Sequence, residues 1–351
     1  MTGPTDVAAG AAESRHSRSI LFPGIGPEGQ ARIRGFSIAF VGVGAVGAAA
    51  AESAARAGFG RLTLIDRDVV EESNLARQFL FDADDAARLA PKAEAASERL
   101  REIAPEVSIS AVVADLEHTR ARERLAGHDL VFDASDNFET RLLVSDAARA
   151  LGIPSVYAGC VGSEGIVAVS LPGKTPCLRC YLQGLPPAGE GPTCDTSGVV
   201  PTLPPLVAAA AMTETLRLAA GRGASRGLLR IEVWNGEISA RRFLRDAVPA
   251  SGCPVCAGIR YPALEGEGVS EIVKLCGRRS IQVAPAGGRR PDFDALERRL
   301  SRVGRVRRSP QLLSAEIEGV HLTLFSDGRC VVRGTEDPVA AKSLYARYVG
   351  R

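Results

Sequence analysis

Cys177-Leu-Arg-Cys180 and Cys253-Pro-Val-Cys256 are the residues whose types and spacing say most about chemistry. Two thiolates three positions apart on a turn can share one metal ion, and two such turns complete a tetrahedral cage of four sulfurs. Such a cage suits zinc, and with four protein ligands it leaves no coordination position for a substrate. A redox role is the alternative for one Cys-x-x-Cys pair, but it does not account for two. About 70 residues separate the pairs, so a shared zinc ion would fasten a mid-chain loop to a distant one.

A second pattern concerns phosphate. The apolar run from Phe36 to Val41 enters a loop with Gly42, Gly44, Ala45 and Gly47, and the alanine-rich stretch from Ala48 to Ala57 reads as a helix. Gly58-Phe-Gly60 ends it, and Arg61 to Ile65 reads as the next strand. In such a β-turn-α-β unit the glycines let backbone N–H groups approach a phosphate at the helix N-terminus. Asp66 follows 19 residues after Gly47, where a carboxylate can accept a ribose hydroxyl. This much describes a nicotinamide oxidoreductase equally well. The glycine pattern implies a nucleotide without saying which chemistry is done with it.

The residues after Asp66 point further. Asp66-Arg-Asp68 leads to Ser73-Asn74-Leu-Ala-Arg77-Gln78, then to Lys92, and later to Asp129-Leu-Val-Phe-Asp133-Ala-Ser-Asp136-Asn137. Cleaving a nucleoside triphosphate needs cations to neutralise phosphates and a carboxylate to hold Mg²⁺. Asp136 follows an apolar strand, at the carboxyl edge where open α/β sheets bind ligands. Taken singly, Arg77 and Lys92 read as solvated helix charges and Asp136 as a helix N-cap.

Taken together, from about Arg15 to Ala257, these residues resemble the ThiF/MoeB/HesA adenylyltransferases, relatives of the ubiquitin-activating enzymes. The leading segment Arg15-His-Ser-Arg18-Ser-Ile-Leu and both cysteine pairs belong to the resemblance. It implies ATP-dependent adenylation of the C-terminal Gly-Gly carboxylate of a ubiquitin-like sulfur carrier of the ThiS/MoaD type. It also implies a homodimer in which Arg18, with Arg15 as second candidate, reaches the partner's nucleotide. Asp136 would hold Mg²⁺, and Arg18, Arg77 and Lys92 would stabilise phosphate charge. Asp66 would bind ribose, and Asn74 would order its loop and touch phosphate. Gly42, Gly44, Ala45, Gly47, Asp68, Ser73 and Asn137 complete the expected nucleotide-binding set. Cys194, in the Gly/Pro-rich stretch 181–200, matches a crossover-loop cysteine that is covalently linked to the carrier in some members and dispensable in others. Three positions depart from the pattern: Ala45 replaces a glycine, Ser19 a glutamine, and Pro91 a small residue before Lys92.

The elements that must position these groups imply a Rossmann-like α/β fold, a mostly parallel sheet continuing into an antiparallel half. The chain of 351 residues is 45% hydrophobic and 24% charged, ordinary globular values. A net charge of +2 gives no reason to expect nucleic acid, and no apolar run is long enough for a membrane span. Residues 1–13 read as a disordered tail without a signal-peptide layout, and eight cysteines then favour a reducing cytoplasm. The expected organisation is an adenylyltransferase domain with zinc over 14–258, a linker over 259–268, and a small α+β domain over 269–351 in the order β-α-β-β-β-α. The last region carries 16 Lys/Arg and 9 Asp/Glu, which reads as a solvated basic face or a docking surface for an acidic carrier. Besides carrier adenylation, two classes stay open: a nicotinamide oxidoreductase, and a zinc-stabilised nucleotide-binding scaffold without catalysis.

Overall fold

The computed structural model describes residues 15–182, 197–225, 227–235, 239–243, 252–267, 272–275, 280–283, 291–317, 319–335 and 337–349. The expectations for the tail 1–13 and for Cys194 fall outside these residues.

Two helices lead the chain, α1 (residues 15–21) and α2 (Gly26–Gly35). The apolar run becomes β1 (Ser37–Val41), buried at every position, as befits a strand covered on both faces. The helix after the glycine loop, α3 (Ala45–Ala57), begins three residues earlier than its alanines suggest, because Gly47 lies within its first turn. Around β1 lie β2 (Arg61–Asp66), β3 (Ser108–Val113), β4 (Leu130–Asp133) and β5 (Ser155–Val161), all parallel, in the order β3-β2-β1-β4-β5. Three antiparallel strands extend the sheet: β6 (Glu164–Ser170), β7 (Leu228–Glu232) and β8 (Ser239–Phe243). The result is the expected parallel sheet with an antiparallel half. The β7–β8 register pairs Glu232 with Ser239.

The connections are α4 (Ala83–Ala87), α5 (Lys92–Ile103), α6 (Ala121–Leu125), α7 (Phe138–Leu151), α8 (Leu178–Tyr181) and α9 (Leu203–Ala219). One face of the sheet buries its apolar side chains with those of α3, α5 and α9, including the Phe40–Phe132 ring pair at 5.1 Å. The other face packs against α6 and α7. From β1 the chain winds to β2 and β3 on one side and then crosses to β4 on the other. That reversal opens a crevice between the carboxyl ends of β1 and β4, where such sheets bind ligands.

A smaller unit lies toward the C-terminus. It contains β9 (Ile272–Leu275), β10 (Ser280–Val283), α10 (Phe293–Leu300), β11 (Arg305–Arg308), β12 (Leu312–Ile317), β13 (Val320–Phe325), β14 (Cys330–Arg333) and α11 (Pro338–Tyr348). Its antiparallel sheet runs β11-β12-β13-β14-β10-β9 and packs Ile281, Leu313, Leu322, Leu324 and Val332 with Leu296, Leu300, Ala341 and Tyr348. The expected β-α-β-β-β-α order thus lengthens by two strands. The four-residue β9 carries no alternation long enough to read. β11, with three arginines in four residues, is a charged edge strand. The stretch expected to be a linker is packed up to Glu267: Ala263 is buried and its N–H donates to the Asp146 carboxylate at 2.8 Å. Among the described residues no helix is long and apolar enough to cross a membrane.

The turn that delivers Lys92 is unusual. α4 ends in a Schellman motif, with Leu89 N–H donating to Ala86 O at 3.2 Å and Ala90 N–H to Asp85 O at 2.9 Å. Leu89 fills the left-handed position at φ +51°, which glycine adopts without strain. Leu89→Gly is expected to raise unfolding stability by about 1 kcal/mol. Denaturant unfolding checks this, and a clear loss of stability would mean that packing of the leucine side chain outweighs its backbone strain.

Candidate functional site

The crevice is lined first by the loop after β1. Gly42 sits at φ +88°, and a Cβ there would lie 2.6 Å from Ala134 O. A Cβ on Gly47 would strike Gly42 O at 2.0 Å. Both glycines therefore serve the close approach of β1, β4 and α3. Gly44 differs: a Cβ there would meet only the Gln78 amide, at 3.9 Å. As N-cap of α3 it brings no side-chain hydrogen bond to the helix N-terminus, which leaves donors suited to a phosphate. Ala45 is the first helical residue, so its methyl is tolerated in an ordinary helical conformation.

Asp66 closes the loop from below. Its buried carboxylate accepts from Val43 N–H at 2.6 Å and from Asp68 N–H at 2.7 Å. Burial pushes its pKa up against the opposing charge of Lys92. The segment 68–70 pairs with 90–92 through Val70 N–H to Ala90 O, Lys92 N–H to Asp68 O and the Val69–Pro91 bridge. This pairing sets Pro91 as N-cap of α5 and turns the Lys92 side chain inward. Lys92 is only 4% exposed, with Nζ 3.3 Å from Asp68 Oδ2. It is no solvated helix charge.

The Ser73–Gln78 segment contributes from the other side. A 3₁₀ turn over Glu72–Asn74 is closed by Glu71 N–H donating to Asn74 Oδ1. Asn74 is fully buried, and among the described residues its Nδ2 and the buried Gln78 Oε1 have no hydrogen-bond partner. Buried polar atoms left open cost stability unless a ligand completes them, so this cradle fits a polar nucleotide. Arg77 donates to Ser73 O at 2.7 Å, and Ser73 itself is exposed.

Past β4, Asn137 rather than Asp136 is the N-cap of α7, accepting from Thr140 N–H at 2.8 Å. Asp136 stands one position earlier, exposed, with Oδ1 accepting from Asn137 Nδ2 at 3.3 Å. A carboxylate presented to solvent at this edge fits Mg²⁺, which keeps several waters and takes few protein ligands. Asp133, buried at the end of β4, accepts from Ser135 N–H and Oγ–H at 3.0 and 2.7 Å.

Arg18 is not brought to this crevice. Arg15, its neighbour on α1, bonds to Glu106 and Ile103 O, at the far end of α5 from Lys92. His16 lies against Gly58, at the far end of α3 from Gly44. Each helix is roughly 17–20 Å long at about 1.5 Å per residue, beyond the reach of an arginine side chain. Arg15 is thus committed within its own chain, and Arg18 is exposed.

The four cysteines do converge. Their sulfurs all lie within 4.8 Å of one another, with 177–180, 177–253 and 180–256 separations of 3.7 Å. A tetrahedral zinc with bonds of about 2.3 Å spaces its sulfurs by about 3.8 Å. Burial pushes the Cys177 thiol far up, so a thiolate there needs a cation. α7 anchors both cysteine loops in ways the sequence hides. Buried Asp146 accepts from Arg179 at 3.2–3.3 Å and from Ala263 N–H, and Ser145 Oγ accepts from Leu178 N–H at 3.3 Å.

A nucleotide crevice that adds a buried lysine to a Rossmann-type loop, on a sheet with an antiparallel extension, defines the class of adenylyltransferases related to ubiquitin activation. The ThiF family model matches residues 16–255, and the chain belongs to that family. It is 38% identical over 337 residues to the "Sulfur carrier protein ThiS adenylyltransferase" of Bacillus subtilis (strain 168), covering 96% of this chain and 99% of that protein. It is 40% identical over 248 residues to the "SAMP-activating enzyme E1" of Haloferax volcanii, covering 69% of this chain and 88% of that one. Among solved structures, E. coli MccB with MccA-N7isoASN matches with a TM-score of 0.60 at 21% identity, over 70% of this chain and 74% of that chain. This last likeness shows the fold.

Two predictions follow from the geometry. One zinc per chain is expected by elemental analysis, and Cys177→Ser or Cys256→Ser should lose both metal and solubility; a metal-free double variant as stable as the parent would refute the cage. Burial also raises the Asp133 pKa against the Ser135 hydrogen bonds. A raised carboxyl favours folding in acid, and that contribution is lost as pH rises through the unfolded value of about 3.9 toward the folded one. Asp133→Asn should therefore gain stability relative to the parent between about pH 3 and neutrality. A difference that does not change across that range contradicts it.

Proposed function

We propose that the protein catalyses ATP-dependent adenylation of the C-terminal Gly-Gly carboxylate of a ubiquitin-like sulfur carrier, with release of pyrophosphate. The observation that carries this reading is Lys92, a buried cation delivered to the glycine loop and paired with Asp68. A nicotinamide oxidoreductase has no use for that group. The names of the Bacillus relative and of the "Sulfur carrier protein adenylyltransferase" of Thermus thermophilus support a carrier of the ThiS kind.

The carrier carboxylate is ionised at neutral pH, since C-terminal groups titrate near about 3.5, and needs no general base. It attacks the α-phosphorus, the bond to the β-phosphate oxygen breaks, and pyrophosphate leaves. The protein supplies alignment and charge. The α3 N-terminus and Gly44 seat the phosphates, and Asp66 faces the ribose. Asn74 and Gln78 complete their open hydrogen bonds with the nucleotide. Lys92 and Arg77 offset charge as pyrophosphate departs. Mg²⁺, held at Asp136, would further neutralise the phosphates.

Arg18 acts from a second copy of the chain. It lies too far from its own crevice, yet it is exposed on a helix that precedes β1. A guanidinium brought to leaving phosphates offers a fixed fork of donors.

Carrier-dependent exchange of labelled pyrophosphate into ATP tests the activity. Asp136→Ala should lose it at ordinary Mg²⁺ while keeping the fold, a loss of several kcal/mol of transition-state stabilisation; near-normal exchange would place the metal elsewhere. Arg18→Ala and Asp136→Ala proteins, each inactive alone, should regain activity when mixed, because one site of the mixed dimer carries neither defect. No recovery despite demonstrated subunit exchange would assign Arg18 to its own chain or to no catalytic role.

A further inference from the structure

The residue between the two carboxylates at the end of β2 has no part in the scheme above. Arg67 does not point into solvent. Its side chain is 13% exposed, with Nη1 2.9 Å from Asp115 Oδ2, beyond β3, and Nε 3.9 Å from Asp68 Oδ1. Lys92 Nζ stands 3.3 Å from the other oxygen of the same carboxylate, Asp68 Oδ2. The charges thus alternate in the order Asp115, Arg67, Asp68, Lys92, and the Asp136 charge also acts on Arg67. Asp68 sits between two cations, close to one and looser to the other.

That asymmetry matters for what Lys92 must do. On the reading given above, Lys92 serves the phosphates, yet without nucleotide its charge faces Asp68. Turning Lys92 to phosphate leaves the Asp68 charge with one cation fewer, and a partly buried carboxylate stripped of its partner is costly. Arg67 is placed to limit this cost. It is held by Asp115, it is permanently charged, and it already lies within 4 Å of the oxygen that Lys92 does not use.

We propose that Arg67 is a positioning residue for nucleotide binding, the counter-cation that keeps Asp68 satisfied when Lys92 turns from Asp68 to the phosphates of ATP. The inference rests on the assignment of Lys92 to the phosphates. Arg67 acts through Asp68 and Lys92 and needs no contact with ATP itself. Removing its charge leaves Asp68 to lean more heavily on Lys92, so Lys92 stays locked and ATP binds more weakly. Neutralising Asp68 as well unlocks Lys92 again.

The test is ATP binding in the presence of Mg²⁺ by isothermal titration calorimetry on the full chain, with thermal unfolding of each variant recorded alongside. Arg67→Met should weaken ATP binding by about tenfold or more, the scale of one charge-assisted interaction. Arg67→Lys, which keeps the charge, should recover most of the loss. The double variant Arg67→Met/Asp68→Asn should bind ATP more tightly than Arg67→Met alone. A merely structural role predicts the reverse for the double variant, since a second lesion adds damage. Unchanged ATP affinity in Arg67→Met, or a double variant weaker than the single one, overturns the proposal. A parent protein that binds no ATP overturns the functional reading itself, and this inference with it, whereas a parent that binds beside an unaffected Arg67→Met overturns the inference alone.

Discussion

One buried carboxylate holds the nucleotide-binding end of the sheet in shape. Asp66 ends β2 and accepts one N–H from the glycine loop after β1 and another from Asp68. Those bonds fix where the α3 N-terminus points and where the 68–70 segment lies. That segment in turn pairs with 90–92 and so decides where Lys92 enters. A carboxylate so thoroughly buried is tolerable because it is hydrogen-bonded and lies near the charge of Lys92. The carboxylate needs Lys92, and Lys92 gains its place from the backbone that the carboxylate organises.

The same logic extends across the site. Asp68 between Arg67 and Lys92, and Asp146 between Arg179 and the Ala263 N–H, are charges whose partners come from distant parts of the chain. They are weak evidence for net stability, because desolvation offsets attraction. What they do is specify geometry: one set shapes the crevice, the other holds the two cysteine loops against α7. Lys92 and Asp136, the cation and the carboxylate proposed to serve the nucleotide, differ in the way those proposed tasks require. Lys92 is buried and partnered, whereas Asp136 is exposed at the crevice edge and suited to a hydrated ion.

Much of this was legible in the residues, for identifiable reasons. Parallel strands announce themselves as short apolar runs, so β1, β2 and β4 were read to within a residue or two. Paired cysteines at ligand spacing read directly as a cage. The α3 start was misplaced because glycines in its first turn look like loop. Asp146 was unreadable because an acidic residue in an amphipathic helix looks solvent-facing until its partners, 33 and 117 positions away, are known. In sequence Arg18 was the first candidate and Arg15 the second. The bond of Arg15 to Glu106, 91 positions on, separates them. Arg67 hid between two acidic residues, and only the position of Asp115 shows that its side chain is engaged.

An adenylyl group transferred in this crevice to a carrier's C-terminus must appear in the intact mass of that carrier. After incubation of a ThiS-type carrier ending in Gly-Gly with the protein, ATP and Mg²⁺, mass spectrometry should find one adenylyl group on the carrier, placed at its terminal carboxylate. A carrier of unchanged mass, under conditions where the protein demonstrably binds ATP, would contradict the account.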